Sequence, residues 1–174
     1  MYTMTTERLI LRPFEASDAV RVTELCNNYN IYKSTLTLPY PYSIDDALAW
    51  IATHEDNFKR GTFYELAVTD KSTGELYGAI GLSYNARSQN GEIAYWIGEE
   101  YWGKGYATEA VKGVIDFAFS QKGYHKVYGR FFTSNPASGK VMEKVGMVRE
   151  GVLKEHVFKE GEFVDLAFYG IIKS

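Results

Sequence analysis

One stretch of the sequence places a strand pattern directly before a helix pattern, with a glycine-rich turn between them: Gly91 to Ala118, GEIAYWIGEEYWGKGYATEAVKGVIDFA. Apolar side chains alternate from Glu92 to Ile97, which predicts a strand. Apolar residues then recur at helical spacing, which predicts an amphipathic helix that begins near Tyr106. A chain built around this unit is predicted to be a mixed α/β protein.

The turn between the two patterns has the features of a phosphate-binding turn. Its small residues allow a ligand to approach the backbone closely, and the first turn of a helix presents unpaired N–H groups at a positive dipole end. An ordinary strand-to-helix connection would use glycine in the same way. The sequence lacks GxxxxGK[ST], and Thr108 stands where GxGxxG needs its last glycine, which disfavours a generic nucleotide site. The candidate ligand-binding residues are Trp102, Gly103, Lys104, Gly105, Tyr106, Ala107 and Thr108.

The segment YWGKGYATEA, with the strand EIAYWIG before it, resembles motif A of the Gcn5-related N-acetyltransferases (GNAT), especially the RimJ/RimL-like branch. The general motif is Q/R-x-x-G-x-G/A, and this chain has Trp102, Gly105 and Ala107 at those positions. Tryptophan departs from the general motif but is common in that branch. The resemblance continues in order through ERLILRPF, TGELYGAIGL, NPASGKVMEKVGM and EGVLKEHVFKEGEFVDLAFYGI, and so covers essentially the whole chain.

This resemblance implies one α/β domain over residues 1–174. Its central sheet would be mostly antiparallel, flanked by helices, and splayed between the motif strand and the parallel strand that begins at Lys126. The alternation and turn patterns predict further strands at 8–13, 63–69, 76–84, 126–132, 148–158 and 163–173. They predict helices at 19–28, from 43 to 61 and at 135–145, with a loop or short irregular helix at 30–42.

The resemblance also implies an acetyl-CoA-dependent N-acetyltransferase that passes the acetyl group directly to an amine. In relatives, the motif strand bulges and diverges from its neighbour, and a backbone amide at that point binds the carbonyl oxygen of the thioester. The corresponding position in this chain is near Trp96 or Ile97. Asn135 and Ser138 would contact the pantetheine arm. Asparagine is equally suited to capping the following helix, and one Asn side chain can do both.

Glu92 is the first candidate for the general base, because several relatives keep a glutamate at this place that works through water. A carboxylate near an apolar cleft can have its pKa raised toward neutrality. The alternative is an exposed glutamate at a strand end. Glu155 and His156 form a second candidate pair, for which surface or groove lining is the alternative. A glutamate found in RimL-like enzymes aligns with Val157 and is missing.

The general acid of many relatives is a tyrosine seven residues after the helix-opening asparagine, and this chain has Met142 there. In the RimJ/RimL-like branch a serine three residues after the asparagine can replace it, so Ser138 is the candidate proton donor. These departures leave open a second class of function, a non-catalytic acyl-CoA-binding sensor or scaffold. Cys26 lies in a predicted helix without a histidine-containing signature, so no acyl-enzyme is expected.

Composition and residue spacing argue against several other classes of function. The net charge of −3 gives no electrostatic basis for binding nucleic acid or membranes. One cysteine cannot form an intrachain disulfide, and the three histidines lack a spacing such as HExxH, so no metal is expected. No apolar run reaches membrane-spanning length and no signal-peptide core is present, so the cytoplasm is expected. The oligomeric state stays open, a homo-oligomer included.

The pKa of the acceptor amine determines how strong a base is needed. An α-amine of pKa ~8 is about one-tenth neutral at pH 7, whereas a lysine of pKa ~10.4 is neutral at about one part in 2,500, a cost of roughly 4–5 kcal/mol. A site without a strong general base therefore favours an α-amine or a small amine of low pKa. The resemblance suggests ribosomal-protein N-termini as acceptors. Acceptor specificity is expected in the segment 30–42 and in the hairpin around Glu160.

Overall fold

A computed structural model describes residues 2–174, and among these one sheet of eight strands runs in the order β1-β2-β3-β4-β5-β6-β8-β7. The strands are β1 Met4–Thr5, β2 Leu9–Arg12, β3 Phe63–Asp70, β4 Leu76–Ser83, β5 Asn90–Ile97, β6 Lys126–Phe132, β7 Val148–Lys159 and β8 Glu162–Ile172. The α-helices are α1 Ala19–Cys26, α2 Tyr29–Ser34, α3 Ile44–Ala52, α4 His54–Arg60, α5 Tyr106–Gln121 and α6 Pro136–Lys144. Two short 3₁₀ turns lie at Ala16–Asp18 and Glu99–Tyr101.

The sheet is antiparallel except where β5 and β6 run parallel, joined by the crossover helix α5. Their pairing is short: Asn90 pairs with Lys126, and the last pair is Glu92 with Tyr128. Beyond that pair the two strands separate. The predicted α/β fold, mostly antiparallel and splayed between the motif strand and the strand after it, is confirmed.

The position of α5 is set by its apolar face. The predicted helical stripe is buried against the sheet, and it includes Ala110, Val111, Val114 and Ala118. Burying such a face supplies most of the stability of a helix in a protein. The helix therefore begins at a fixed point beside the end of β5, where the sheet opens.

The helices before β3 differ from their predicted bounds. The helix predicted for 19–28 ends at Cys26, and the Asn28 side chain then accepts hydrogen bonds from the N–H groups of Asn30 and Ile31. That cap starts α2 inside the segment predicted as a loop or irregular helix. The helix predicted from 43 to 61 is divided at Thr53, whose N–H bonds to Trp50 O and so tightens the chain into a turn. The two-residue strand β1 carries no sequence pattern of its own.

Candidate active site

A groove of about 890 Å³ opens where β5 and β6 separate. It extends from the turn before α5, past the end of β5 and the start of α6, to α2 and the β7–β8 hairpin. This volume is in the range of small-molecule and cofactor sites. Ten of the eleven predicted donor-binding residues lie along it: Trp96, Ile97, Trp102, Gly103, Gly105, Tyr106, Ala107, Thr108, Asn135 and Ser138. The eleventh, Lys104, is outside the lining, with its Nζ 5.6 Å from the centre of the Tyr101 ring.

The glycine turn leaves the start of α5 without a side-chain cap. Gly103 and Gly105 have φ of +73° and +81°, a left-handed conformation that favours glycine. Gly105 is the residue that precedes α5, and it has no side chain to cap the helix. The N–H groups of the first helical turn therefore have no capping partner, and they point out at the positive end of a sixteen-residue helix.

Arg8 and Glu109 form an ion pair that contacts this turn through Lys104. The sequence patterns did not predict this pair. The Glu109 carboxylate accepts from Arg8 N–H at 2.7 Å, from Arg8 Nε at 2.7 Å and from Thr6 Oγ1 at 2.6 Å. The Arg8 guanidinium also donates to Lys104 O at 2.9 Å and lies 4.6 Å from the centre of the Tyr106 ring. Burial opposes ionisation of Glu109, but these hydrogen bonds outweigh it and lower the pKa of its carboxyl group.

The backbone at the end of β5 directs one N–H into the groove. In a trans peptide the C=O and the next N–H point in opposite directions. The carbonyl of Trp96 lies against Gly78 of β4, and the N–H of Gly98 donates to Tyr77 O at 2.8 Å. The N–H of Ile97 therefore points away from β4, toward the gap left by β6.

The expected bulge of the motif strand is absent from the described pairing of β4 with β5. Registers run without a shift from the pair Leu82–Ile93 to the pair Gly78–Ile97. The amide of Ile97 thus faces no neighbouring strand because the pairing of β5 with β6 ends at Glu92, and no extra residue is needed. On the same side, the Ile97 carbonyl accepts a hydrogen bond from Trp102 Nε1 at 2.6 Å, which joins the strand to the turn.

Asn135 and Ser138 face each other at the start of α6. The Asn135 side chain makes no capping hydrogen bond to this helix and instead donates from Nδ2 to Ser138 Oγ at 3.1 Å. The capping alternative is therefore wrong for the side chain, although Asn135 does occupy the position before the helix. Met142 lies deeper in α6, is 2% exposed and packs beside Gly129.

Tyr95 also lines the groove, and the sequence analysis did not identify it as a site residue. Its hydroxyl oxygen is buried and makes no hydrogen bond to any residue that the structure describes. Burial raises the pKa of Tyr95. Alternation along β5 placed Tyr95 on one face with Ile93 and Ile97, and that pattern gave no sign of a buried hydroxyl without a hydrogen-bond partner.

The structure does not bring Glu92 into the groove lining. Its two carboxylate oxygens accept from Arg130 Nε at 2.5 Å and from Arg130 Nη2 at 3.0 Å. Both side chains are partly buried, 32% and 21% exposed for Arg130 and Glu92. Protonating Glu92 would weaken this two-bond ion pair, which opposes a role as general base.

Glu155 and His156 lie in an irregular part of β7 and do not belong to the groove lining. The register shifts between Leu153 and Val157, and Glu155 has a φ of +47°. Its N–H donates to Asp165 Oδ1 at 2.8 Å, so this part of the strand is held to β8. The hairpin residues that do line the groove are Lys159, Glu160, Glu162 and Val164.

The far end of the groove is bridged by contacts between α2 and the β7–β8 hairpin. Tyr29 donates its hydroxyl to Glu160 at 2.9 Å, and Lys159 Nζ donates to Thr35 O at 2.7 Å. Lys159 Nζ also lies 3.9 Å from the centre of the Tyr32 ring, a cation–π contact. Desolvation lowers the pKa of Lys159.

Several expectations concern groups outside the groove. Cys26 is buried in α1, and burial raises the pKa of its thiol to about 12, which fits a packed side chain. Within residues 2–174 no three metal-ligating side chains come together, and no helix combines the length and apolar character that crossing a bilayer requires.

Comparison with known proteins identifies the family. The model of the GNAT acetyltransferase domain matches residues 8–148. The uncharacterized N-acetyltransferase YoaA of Bacillus subtilis is 30% identical over 171 residues, which cover 98% of this chain and 96% of YoaA. The spermidine N(1)-acetyltransferase of Vibrio cholerae is 31% identical over 168 residues, or 96% and 94% of the two chains. The structure of RimL, a ribosomal L7/L12 α-N-protein acetyltransferase in complex with coenzyme A, has the same fold, with a TM-score of 0.90, 18% identity and 98% coverage of both chains. This chain belongs to the GNAT acetyltransferase family and is an N-acetyltransferase.

Proposed function

We propose that this chain transfers an acetyl group from acetyl-CoA directly to a primary amine in the groove between β5 and β6. The observation that carries the proposal is the position of the Ile97 N–H. It points into the same groove that the glycine turn enters at one end and the bridge between α2 and the hairpin closes at the other. One donor molecule could therefore place its diphosphate on the turn and its thioester beside that amide.

The diphosphate of coenzyme A would bind to N–H groups of the turn 102–108 and of the first turn of α5. Lys140 and Lys144, on the exposed side of α6, also line the groove and would add positive charge near the nucleotide. The pantetheine arm would then follow β5 past Trp96 and reach Asn135 and Ser138.

The reaction would begin when the amine nitrogen attacks the thioester carbonyl carbon. The oxygen gains negative charge in the tetrahedral intermediate, and the N–H of Ile97 would stabilise it by a charge-assisted hydrogen bond. Collapse of the intermediate breaks the C–S bond, and the Ser138 hydroxyl would give a proton to the leaving thiolate. The nitrogen releases one proton to water, and water returns one proton to Ser138. A covalent acyl-enzyme plays no part, since the buried thiol of Cys26 has a raised pKa.

The proposed acceptor is an amine of low pKa, either a protein N-terminal α-amine or a small amine. Two observations support this class. The first is that the candidate base Glu92 is engaged by Arg130, and a weakly equipped site favours an amine that is partly neutral at pH 7. The second is that one named relative, RimL, acts on a protein N-terminus. The spermidine acetyltransferase supports a small amine as the other kind of acceptor, although the primary amines of a polyamine have the pKa of ordinary alkylamines. A cytoplasmic location, the absence of a metal and the oligomeric state stay predictions.

The deciding experiment measures thiol release from acetyl-CoA with a panel of α-amino peptides, polyamines and lysine peptides. We expect amine-stimulated release of the thiol, fastest with acceptors whose pKa is near ~8. Binding of acetyl-CoA in a calorimeter without thiol release for any amine would favour the sensor or scaffold. No binding at all would remove the proposed donor site.

A further inference from the structure

Trp102 places a hydrogen-bond donor at the open edge of β5. Its indole Nε1 donates to the carbonyl oxygen of Ile97 at 2.6 Å. The residue lines the groove and is 46% exposed. The bond lies beyond Glu92, the last residue of β5 that pairs with β6, so the indole contacts a part of the strand that has no neighbouring strand on this side.

The carbonyl of Ile97 points to the same side of β5 as its N–H. In an antiparallel sheet the N–H and the C=O of one residue face the same neighbour, and successive residues face opposite sides. The carbonyl of Trp96 and the N–H of Gly98 face β4, so both polar groups of Ile97 face the gap left by β6. The open edge therefore has a hydrogen-bond donor and an acceptor next to each other.

These two groups have opposite effects on the negative charge that would develop on the thioester oxygen. The N–H of Ile97 would stabilise that charge, whereas the partial negative charge of a bare carbonyl oxygen beside it would repel the same charge. A hydrogen bond from the indole N–H brings a partial positive charge to the carbonyl oxygen and offsets this repulsion. Trp102 thus pairs the unfavourable group of Ile97 and leaves the favourable one free.

We propose that Trp102 is a positioning residue for acetyl transfer, because its indole N–H covers the carbonyl of Ile97 and leaves the N–H of Ile97 to face the thioester oxygen. This inference rests on the acetyl transfer proposed above. Trp102 acts through the backbone of Ile97 and does not touch the reacting atoms.

A purely structural bond would have a different consequence. Trp102 also begins the turn 102–108, so a structural bond would hold that turn in place for the diphosphate. Loss of such a bond would weaken binding of the nucleotide, whereas loss of the proposed bond slows transfer of the acetyl group. S-acetylpantetheine separates the two roles, because it carries the thioester without the nucleotide and its diphosphate.

The test compares Trp102→Phe with the matched control Trp50→Phe. Both changes keep an aromatic ring and remove one indole N–H, but Trp50 Nε1 donates to Glu65 Oε1 at 3.1 Å and lies outside the groove lining. Transfer is measured in single turnovers with enzyme in excess, the Kd for acetyl-CoA by calorimetry, and folding of each variant by its melting temperature.

We expect Trp102→Phe to slow transfer about 10-fold, less than the loss of about 100-fold or more that follows removal of an oxyanion donor itself. The Kd for acetyl-CoA should change less than about twofold, and S-acetylpantetheine should show the same loss of rate, since the effect lies at the thioester. Trp50→Phe should transfer at the rate of the wild type.

Trp102→Gln is the rescue variant, because glutamine carries a side-chain N–H donor and the general motif allows it at this position. We expect it to transfer faster than Trp102→Phe. Wild-type rates in Trp102→Phe, a loss confined to acetyl-CoA, or equal losses in the two variants would overturn the role of the indole N–H and leave the acetyltransferase proposal intact. A wild-type protein that releases no thiol with either donor and any amine would overturn both.

Discussion

Arg8 and Glu109 are 101 residues apart in the sequence, and their side chains form an ion pair of 2.7 Å beside the glycine turn. The same arginine donates to the carbonyl of Lys104 inside that turn. The beginning of the chain thus holds the segment that would bind the diphosphate. The conformation of the turn depends on this contact as well as on its own glycines.

Loss of the contact should weaken binding of the donor. We expect Arg8→Gln and Glu109→Gln each to raise the Kd for acetyl-CoA about 5- to 10-fold, equivalent to about 1–1.4 kcal/mol, because the turn is no longer held in its binding conformation. Isothermal calorimetry measures the Kd, and S-acetylpantetheine, which lacks the nucleotide and its diphosphate, is the control whose KM should stay the same. If Glu109→Gln instead tightened binding, Arg8 would contact the phosphates directly.

A carboxylate at Gly105 should exclude the donor. Gly105→Glu places bulk and negative charge where the diphosphate would bind, and we expect a loss of affinity of about 100-fold or more. Gly74→Glu is the matched control, because Gly74 also has a positive φ, +75°, but lies in the hairpin between β3 and β4 with no atom near its added Cβ. Equal affinity of the two variants for acetyl-CoA would contradict the phosphate-binding turn.

Stability at acid pH should report the hydrogen bonds that Glu109 accepts from Thr6 and Arg8. The pKa of this carboxyl is lower in the folded protein than its ordinary value of 4.5, because the hydrogen bonds from Thr6 and Arg8 outweigh desolvation. The unfolded chain therefore takes up a proton first as the pH falls. The contribution to the free energy of unfolding is complete above 4.5 and is lost as the pH falls through the lower, folded-state pKa.

We therefore expect the melting temperature of the wild type to fall more steeply below pH 4.5 than that of Glu109→Gln. Thermal unfolding followed by circular dichroism across the acid range measures both slopes. Parallel curves would show that this carboxylate does not carry the pH dependence.

Glu92→Gln separates a structural role of the Glu92–Arg130 pair from a catalytic one. We expect a loss of about 1 kcal/mol or less of stability, as is usual for partly exposed ion pairs, and a transfer rate within about threefold of the wild type. Arg130→Gln is the matched variant and should show the same loss of stability. A rate of Glu92→Gln that falls most below the pKa of the amine would support Glu92 as the general base.

The bridge at the far end of the groove should control access of the acceptor. Lys159→Met removes the hydrogen bond to Thr35 and the contact with Tyr32 while keeping a side chain of similar length. We expect the KM for the amine to change about 3-fold or more, with the KM for acetyl-CoA unaltered, because the bridge would lie beyond the thioester of the bound donor. Tyr29→Phe is the milder variant, since it removes one hydrogen bond to Glu160. Equal changes in both KM values would mean that the hairpin supports the donor site instead.

Local patterns in the sequence predicted the strand β5, the turn and α5, because alternation, helical spacing and glycine act over neighbouring residues. The resemblance supplied Asn135 and Ser138, and the structure brings both to the predicted groove. Arg8 and Tyr95 could not be found in this way. The role of Arg8 depends on Glu109, which is distant in sequence and which only the packed fold brings near. The Tyr95 hydroxyl is buried beside the groove by packing that the alternation along β5 does not encode.

The division of the helix predicted from 43 to 61 illustrates a second limit. Apolar side chains keep one phase through Ala47, Ile51 and Phe58, so periodicity continues across the interruption at Thr53. At the break, the N–H of Thr53 bonds to the carbonyl of Trp50, three residues earlier, and not to the fourth residue back as in a regular α-helix. Side-chain pattern carries no information about that choice of acceptor.

The N–H of Ile97 belongs to the main chain, and every residue except proline carries the same group. Mutation can therefore change the side chain at this position without removing the N–H donor that would face the substrate. Comparison of sequences by side-chain identity would underestimate how well this chemistry persists among distant members of the family. Ile97→Pro is the single substitution that would remove it.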